Sequence, residues 1–309
     1  MSEQKFPRII FIVGPTGVGK SDAGFLLAKN IGGEIVSCDA LQVYREVNIA
    51  CDKPSKQQQS QIPHHLLDVV SVSEEFDVAR YRKLASSAIE GIIARGKTPV
   101  VVGGSGMYMS VLLDGIFQSP VSKDPQLRIQ LEARADEQGP EALHRELMGL
   151  DPLAGSKIHP HDARRITRAL EVVMSTGQPI SQLQKERQGL WGGQYRIDIF
   201  ALNRDRAELY RRAEARIDRM FEQGLVDEVK SIGQLPLSRT AKTLLGIPEV
   251  LGFVQGAYDL ERAKYLLKLN TRHYVKRQLT WFRRDKRLQW IDIGNHSLEW
   301  VVGQLSAHA

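Results

Sequence analysis

The sequence contains very little cysteine, and this scarcity excludes two classes of protein. Cys38 and Cys51 are its only thiols, and they do not have CxxC spacing. A structural zinc site needs four suitably spaced ligands, and a disulfide framework needs more cysteines than two. We therefore expect a reducing, cytoplasmic setting, no bound zinc and no disulfide.

Long apolar runs are also missing. No run of about 18 apolar residues, the length that spans a bilayer, occurs anywhere in the chain. The first residues, MSEQKFPR, lack the apolar segment of a signal peptide. We expect a soluble protein with no membrane contact.

The sequence has no internal repeat and little low-complexity sequence. The one biased segment is the polar stretch Ser55–Gln61, which we expect to be a surface loop. The histidine pairs PHHLLD and HPHD, at His64–His65 and at His159 and His161, have no zinc spacing with further ligands. We expect these histidines in turns or in contact with RNA.

The chain has ample apolar content and an excess of positive charge. Of its 309 residues 42% are hydrophobic, enough for one large domain or two smaller ones. The formal net charge is +6, which favours a polyanionic partner but is common among enzymes without one.

The most informative motif lies near the N-terminus, where residues 8–21 read RIIFIVGPTGVGKS. Ile9–Val13 is typical of a strand buried on both faces, and Ala23–Lys29 is predicted to be helical. The residues between them match G-x-x-x-x-G-K-[ST], a loop whose backbone N–H groups surround phosphate oxygens. Lys20 adds a positive charge, and the Ser21 hydroxyl suits a Mg²⁺ ion. The predicted phosphate or diphosphate site comprises Gly14, Pro15, Thr16, Gly17, Val18, Gly19, Lys20 and Ser21.

Strands and helices alternate in the first 120 residues. Strands are predicted at Glu34–Ser37 and Thr98–Val102, and a long helix at Phe76–Arg95. This order indicates an α/β fold with a P-loop NTPase-like parallel sheet, helices on both faces and ligands at the carboxyl ends of the strands.

From residue 121 the pattern becomes helical. Three helices follow one another without a strand, at Pro125–Glu137, Pro140–Leu150 and Asp162–Ser175. Arg196–Leu202, where apolar and polar residues alternate, is predicted to return to the sheet, followed by a helix at Arg206–Gln223. We expect a P-loop core of residues 1–120 and 195–309, with an inserted all-helical domain of residues 121–194.

Asp39 follows the second predicted strand, near the edge where the sheet should bind its ligands. A carboxylate there can be a general base, a metal ligand or a helix N-cap, and its position alone does not decide among these roles. A P-loop ATPase usually ends a core strand in an acid that organises Mg²⁺ and water. Here the strand ends in Gly103 and Gly104, which we expect to leave room beside the phosphates, followed by the hydroxyl of Ser105. The missing acid favours transfer to an organic acceptor over hydrolysis.

Two basic segments complete the pattern. Lys157–Arg168, KIHPHDARRITR, brings three arginines onto one predicted helix, with Arg164 and Arg168 on the same face. Thr271–Arg287 contains seven Lys or Arg against one Asp, interleaved with aromatic residues. Either cluster alone is typical of a solvated face, but the two together favour nucleic acid binding.

Eight motifs now fall into a known order: GPTGVGKS, DALQVY, DKP, PHHLLD, GGSGMY, HPHDARRITRALE, MFEQGLVDEV and YVKRQLTWFR. In this order, which spans nearly the whole chain, they resemble the bacterial tRNA dimethylallyltransferases, also called tRNA isopentenyltransferases. The phosphate loop alone would be generic, whereas the ordered set is specific.

The resemblance implies transfer of a dimethylallyl group from its diphosphate to N6 of the adenosine that follows the anticodon in tRNA. It implies that the diphosphate lies in the phosphate loop with Mg²⁺ at Ser21, that Asp39 is the catalytic base, and that Lys20 and Ser105 assist. It further implies that the helical insertion grasps the anticodon stem-loop. The implied tRNA contacts are Asp39, Ala40, Leu41, Gln42, Ser105, Arg128, Arg164, Arg165 and Arg168, and the basic segment of residues 271–287 adds Lys276 and Arg277. We expect a monomer.

The sequence departs from the family pattern at three points. Ala40 stands where Ser is usual, Ser105 stands at the threonine of a GGT motif, and Gly246–Glu249, GIPE, replaces a GYKE-like segment. Three other functions share parts of the pattern: a P-loop kinase for a small molecule, an adenylate isopentenyltransferase acting on a free nucleotide, and an RNA-binding P-loop protein without transfer activity.

Overall fold

The structure is a computed structural model that describes residues 6–116 and 124–307. The chain divides into two compact units, Met1–Leu113 with Trp191–Ala309, and Asp114–Leu190. The predicted domain boundary at residue 121 lies outside the described residues. Within the described ranges, no helix is both long enough and apolar enough to cross a membrane.

A six-stranded parallel sheet forms the centre of the first unit, which confirms the predicted fold class. Its strands are β1 (Arg8–Val13), β2 (Glu34–Ser37), β3 (His64–His65), β4 (Pro99–Gly103), β5 (Arg196–Asn203) and β6 (Gln289–Asp292). Their spatial order is β3-β2-β4-β1-β5-β6. The run Ile9–Val13 is fully buried, as expected for a central parallel strand covered on both faces.

The strand order creates a crevice between β1 and β4. The connection from β1 leads to β2, which lies on the β4 side of β1. The connection from β4 leads to β5, which lies on the opposite side of β1. Neighbouring strands whose connections run in opposite directions open a ligand crevice at their carboxyl ends. The last paired residues of these two strands are Val13 and Gly103, so the phosphate loop and the GGSG turn flank this crevice.

Helices cover both faces of the sheet. Those of the first unit are α1 (Lys20–Ile31), α2 (Lys56–Gln61), α3 (Val78–Ala94), α4 (Gly106–Leu113), α10 (Arg206–Glu222), α11 (Leu225–Ile232), α12 (Ile247–Val254), α13 (Leu260–Phe282) and α14 (Leu298–Ala307). Aspartate N-caps fix the starts of the long helices: Asp77, Asp205 and Asp259 each accept hydrogen bonds from backbone N–H groups of the first turn.

The second unit is helical and has its own core. It contains α5 (Pro125–Gln138), α6 (Pro140–Leu150), α7 (Pro152–Gly155), α8 (Ala163–Thr176) and α9 (Ile180–Leu183). Apolar residues at helical spacing bury one face of each long helix, among them Leu131, Leu143, Leu147, Ile166 and Leu170. The three helices predicted in this region are confirmed.

Two local predictions were wrong. Ser55–Gln61 is not a loop, because Ser55 and Gln58 form a reciprocal capping box that starts α2. His64 and His65 lie in the short strand β3, which pairs with β2, so the turn expected there is absent, while the alternative of RNA contact stays a prediction. His65 hydrogen-bonds the buried carboxylate of Glu34 at 2.7 Å.

Candidate active site

The phosphate loop connects β1 to α1 through left-handed glycines. Gly17 and Gly19 have φ of 79° and 109°, values that L side chains rarely adopt. Gly19 directly precedes α1, so an anion in the loop also meets the positive end of that helix. Thr16, Gly17, Gly19, Lys20 and Ser21 line one cavity. The predicted loop residues Gly14, Pro15 and Val18 are not part of its lining.

Lys20 lies at the floor of the cavity. Its Nζ donates a hydrogen bond to the carbonyl oxygen of Pro15 at 2.8 Å. Burial lowers the pKa of Lys20 from 10.5 to about 8, whereas the negative charge of Asp39 opposes this shift. The lysine therefore still carries its proton near neutral pH, but it lacks a strong anionic partner in the free protein.

Asp39 is half-buried just beyond β2 and lines the same cavity. Its Oδ1 accepts a hydrogen bond from the backbone N–H of Leu41 at 2.9 Å, and the following residues form a turn. Asp39 is therefore not the N-cap of a helix; this local bond orients its carboxylate at the carboxyl end of the sheet.

The cavity has a volume of about 610 Å³, within the range of small-molecule sites. This volume exceeds what a diphosphate needs. The lining includes the predicted residues Ala40, Leu41 and Gln42, and it is partly apolar through Phe25, Val102, Leu244, Leu245 and Tyr274.

A wall of arginines on α10 was missed by the sequence analysis. Arg212, Arg216 and Arg219 line the cavity and recur at the spacing of one helical face. Arg212 Nε donates to the carbonyl oxygen of Gly17 at 2.8 Å. Arg216 Nη1 lies 3.7 Å from Asp52 Oδ2, while its buried Nε has no hydrogen-bond partner among the described residues. The i, i+4, i+7 spacing indicates that the three arginines share one face of α10. Only the packing of α10 shows that this face lines the cavity.

A second part of the cavity lining is a loop that Glu228 of α11 holds in place. Glu228 Oε2 accepts hydrogen bonds from the backbone N–H groups of Asn48 and Ile49 at 2.9 and 2.8 Å, and Oε1 accepts one from Ala50 at 3.0 Å. Three successive N–H groups thus surround one carboxylate. This clamp fixes residues 50–54, which line the cavity.

Gly103 and Gly104 of the GGSG turn line the same cavity as the phosphate loop, where they were expected. A Cβ at Gly103 would lie 2.0 Å from the carbonyl oxygen of Cys38, and one at Gly106 would lie 2.3 Å from the Trp281 ring. Their missing side chains thus also allow the close approach of Cys38 and Trp281. Ser105 does not line the cavity; its hydroxyl accepts a hydrogen bond from the N–H of Tyr108 at 3.3 Å in the first turn of α4. Its predicted contact with substrate stays a prediction.

The predicted tRNA-binding residues fall on both units. Arg128, Arg164, Arg165 and Arg168 belong to the second unit. Arg164 and Arg165 are both exposed. Arg128, Arg165 and Arg168 form ion pairs with Glu132, Asp162 and Glu171 respectively. In the first unit, Arg277 lines the cavity and Lys276 is exposed on α13. These placements leave the predicted RNA contacts untested.

The residues near the phosphate loop offer few metal ligands, which suits a metal that takes further ligands from the substrate. No cluster of three or more His, Cys, Asp or Glu able to hold a metal occurs in the described part of the chain. The exposed Ser21 presents one hydroxyl oxygen at the cavity wall, next to Lys20. Such a sparse donor set fits Mg²⁺, which usually keeps several waters and binds phosphate oxygens.

Residues 42–285 match the family model described as IPP transferase. The chain is 43% identical over 303 residues to a tRNA dimethylallyltransferase of Carboxydothermus hydrogenoformans, covering 98% of this chain and 97% of that protein. It is 39% identical over 299 residues to a tRNA dimethylallyltransferase of Halothermothrix orenii, covering 96% and 91%.

Solved structures agree with these relatives. The crystal structure of a tRNA isopentenylpyrophosphate transferase from Bacillus halodurans matches with a TM-score of 0.72 and 34% identity, over 97% of this chain and 95% of that one. A eukaryotic dimethylallyltransferase acting on tRNA matches with a TM-score of 0.79 and 28% identity, over 94% of this chain and 74% of that one.

Proposed function

The chain belongs to the tRNA dimethylallyltransferases, and from this premise we propose how its cavity carries out the reaction. The enzyme transfers a dimethylallyl group from dimethylallyl diphosphate to N6 of the adenosine 3′-adjacent to the anticodon in tRNA. The products are N6-isopentenyladenosine and diphosphate.

The observation that carries the mechanism is the meeting of Lys20, Asp39 and Arg216 in one cavity. Two cationic groups and one carboxylate converge at the carboxyl ends of β1 and β2. The cations suit a leaving diphosphate, and the carboxylate suits a proton that the acceptor must lose.

We assign the diphosphate to the phosphate loop. Lys20, the loop N–H groups and Arg216 take up the negative charge that grows on the diphosphate as its bond to the allylic carbon breaks. Ser21 would hold a Mg²⁺ ion, which would supply further neutralisation of the leaving group. The buried, unpartnered Nε of Arg216 supports this assignment, because an anionic oxygen would satisfy it.

We assign the acceptor base to the side of the cavity near Asp39. The adenine amine is a weak nucleophile, because its lone pair is delocalised into the ring. As N6 forms its bond to the allylic carbon, the carbon–oxygen bond breaks and Asp39 accepts the N6 proton. The base must leave the anticodon-loop stack to reach the cavity, which costs less than extracting a paired base.

The basic surfaces would hold the rest of the tRNA. Arg164 of the second unit and Lys276 and Arg277 of α13 are assigned to RNA phosphates or bases, which makes binding salt-dependent. A tRNA substrate also assigns the reaction to the cytoplasm, and we expect the enzyme to act as a monomer.

Mass spectrometry of the products separates this function from its rivals. The purified protein is incubated with dimethylallyl diphosphate and either an anticodon stem-loop or AMP, and in parallel with ATP and no prenyl donor. We expect isopentenyladenosine in the RNA digest alone. Prenylated AMP without modified RNA would indicate an adenylate isopentenyltransferase, and ATP consumption with a metabolite acceptor would indicate a kinase.

A further inference from the structure

Gln278 of α13 joins the two loops that flank the crevice between β1 and β4. Its side chain is only 6% exposed and lines the cavity. Its Oε1 accepts a hydrogen bond from the backbone N–H of Thr16 in the phosphate loop at 2.9 Å, and its Nε2 donates one to the carbonyl oxygen of Gly104 at 2.8 Å.

We propose that Gln278 is a positioning residue that holds the phosphate loop in its diphosphate-binding conformation by tying it to the GGSG turn. The inference rests on the proposed diphosphate site, which it deepens. Gln278 itself touches no reacting atom, and it acts through the loop that does.

The sheet explains why a side-chain amide is needed here. The ladder between β1 and β4 ends at Val13 and Gly103, and beyond it both chains turn away into irregular loops. The side-chain amide combines an N–H donor with a carbonyl acceptor, as a peptide group does, so it continues the hydrogen bonding across the crevice by one more step. A carboxylate would place an acceptor oxygen against the carbonyl oxygen of Gly104, and an apolar side chain would leave both backbone groups buried and unpaired.

The surroundings are shaped to keep this amide in place. A Cβ at Gly104 would lie 2.4 Å from Gln278 Nε2, so only glycine lets the amide approach without displacing it. One turn further along α13, Trp281 packs against Gly106 in the same way. Helix α13 therefore contacts the GGSG turn at two points. This packing places the Gln278 side chain within hydrogen-bonding distance of the phosphate loop.

The effect on diphosphate affinity follows from the fraction of molecules whose phosphate loop is in the binding conformation. Without Gln278 the loop samples conformations in which its N–H groups no longer converge on one anion. If the competent fraction falls to about a tenth, the apparent Kd for the diphosphate rises about tenfold. Once the substrate is bound the loop is ordered again, so kcat at saturation changes little while KM rises.

The test compares binding of inorganic pyrophosphate with Mg²⁺, by calorimetry, in four variants of the full chain. Gln278→Met removes both hydrogen bonds, and Gln278→Glu keeps the acceptor for Thr16 while losing the donor to Gly104. Gln255→Met, an exposed glutamine at the end of α12, is the matched control, and Lys20→Ala tests the site itself. Thermal unfolding checks that each variant is folded.

We expect Kd and the KM for dimethylallyl diphosphate to rise about tenfold in Gln278→Met and at least as much in Gln278→Glu, with kcat nearly unchanged. Should Gln278→Met fail to fold, Gln278→Glu carries the same comparison. Wild-type Kd in the folded Gln278 variants, with Lys20→Ala weakened, would overturn the inference alone. Wild-type Kd in Lys20→Ala would instead overturn the proposed diphosphate site.

Discussion

Replacement of Arg216 by methionine should separate binding from stability. The guanidinium lines the cavity with its buried Nε unpaired, and its one described ion pair joins it to Asp52 at 3.7 Å. Asp52 is 66% exposed. Arg216 therefore contributes little to the free protein, whereas the proposed mechanism gives it a large role once diphosphate is bound.

The expected magnitudes differ accordingly. An ion pair with so exposed a partner is worth about 0–1 kcal/mol, and removing an unpaired buried donor offsets part of that loss. We expect Tm to change by less than about 3 °C. A charged hydrogen bond to diphosphate is worth about 1.5–3 kcal/mol, so the Kd for pyrophosphate should rise about ten- to hundredfold.

Two measurements on the same samples test the expected changes. Differential scanning fluorimetry gives Tm, and calorimetry gives the Kd for pyrophosphate with Mg²⁺. Arg211→Met is the matched control, because Arg211 is an exposed arginine of α10 that does not line the cavity. A variant that binds pyrophosphate as tightly as wild type refutes the assignment of Arg216. A large fall in Tm would show that its role in the free protein is structural.

Three further predictions concern protonation and RNA. The pKa of Lys20 is lowered to about 8 in the free protein, so pyrophosphate affinity should fall as pH rises through that value, and binding above it should take up a proton. Calorimetry in two buffers of different ionisation enthalpy detects the change in affinity and the proton uptake. A constant affinity would contradict the prediction. Burial opposes ionisation of Glu34, yet hydrogen bonds from Arg95, His65 and Lys97 lower its pKa from 4.5 to about 2. The stability it contributes is therefore present above pH 4.5 and lost as pH falls toward 2. Glu34→Gln should lower the free energy of unfolding by about 2 kcal/mol at pH 7 and much less near pH 2, measured by urea titration. Arg164→Ala should weaken binding of an anticodon stem-loop and reduce the slope of log K against log salt by about 0.7–0.9, and an unchanged slope would exclude a phosphate contact.

The sequence predicted what depends on local chemistry. The strand, phosphate loop and helix at residues 8–31 follow from a buried apolar run, left-handed glycines and a helix start, all of which are set by nearby residues. The parallel sheet followed from the alternation of elements. The position of Asp39 in the cavity followed from the rule that ligands bind at the carboxyl ends of parallel strands.

The predictions that failed depended on distant packing or on an overlooked cap. The arginine wall of α10 required knowing which face of that helix meets the phosphate loop. Gly103 and Gly104 line the cavity where they were expected, but their packing against Cys38 and Gln278 involves residues far away in sequence and was not predicted. The Ser55–Gln58 capping box predicts the helix at residues 56–61, but the polar composition of this segment led us to expect a loop.

The role of Asp39 is the central claim, and a single-turnover measurement tests it most directly. Asp39→Asn keeps the size of the side chain and an oxygen for the Leu41 N–H, but it cannot accept the N6 proton at neutral pH. With labelled dimethylallyl diphosphate and saturating stem-loop RNA, the account predicts a transfer rate at least about a hundredfold below wild type, with RNA affinity retained. Asp227→Asn, at an exposed site on α11, should transfer normally. A near wild-type rate in Asp39→Asn would contradict the account.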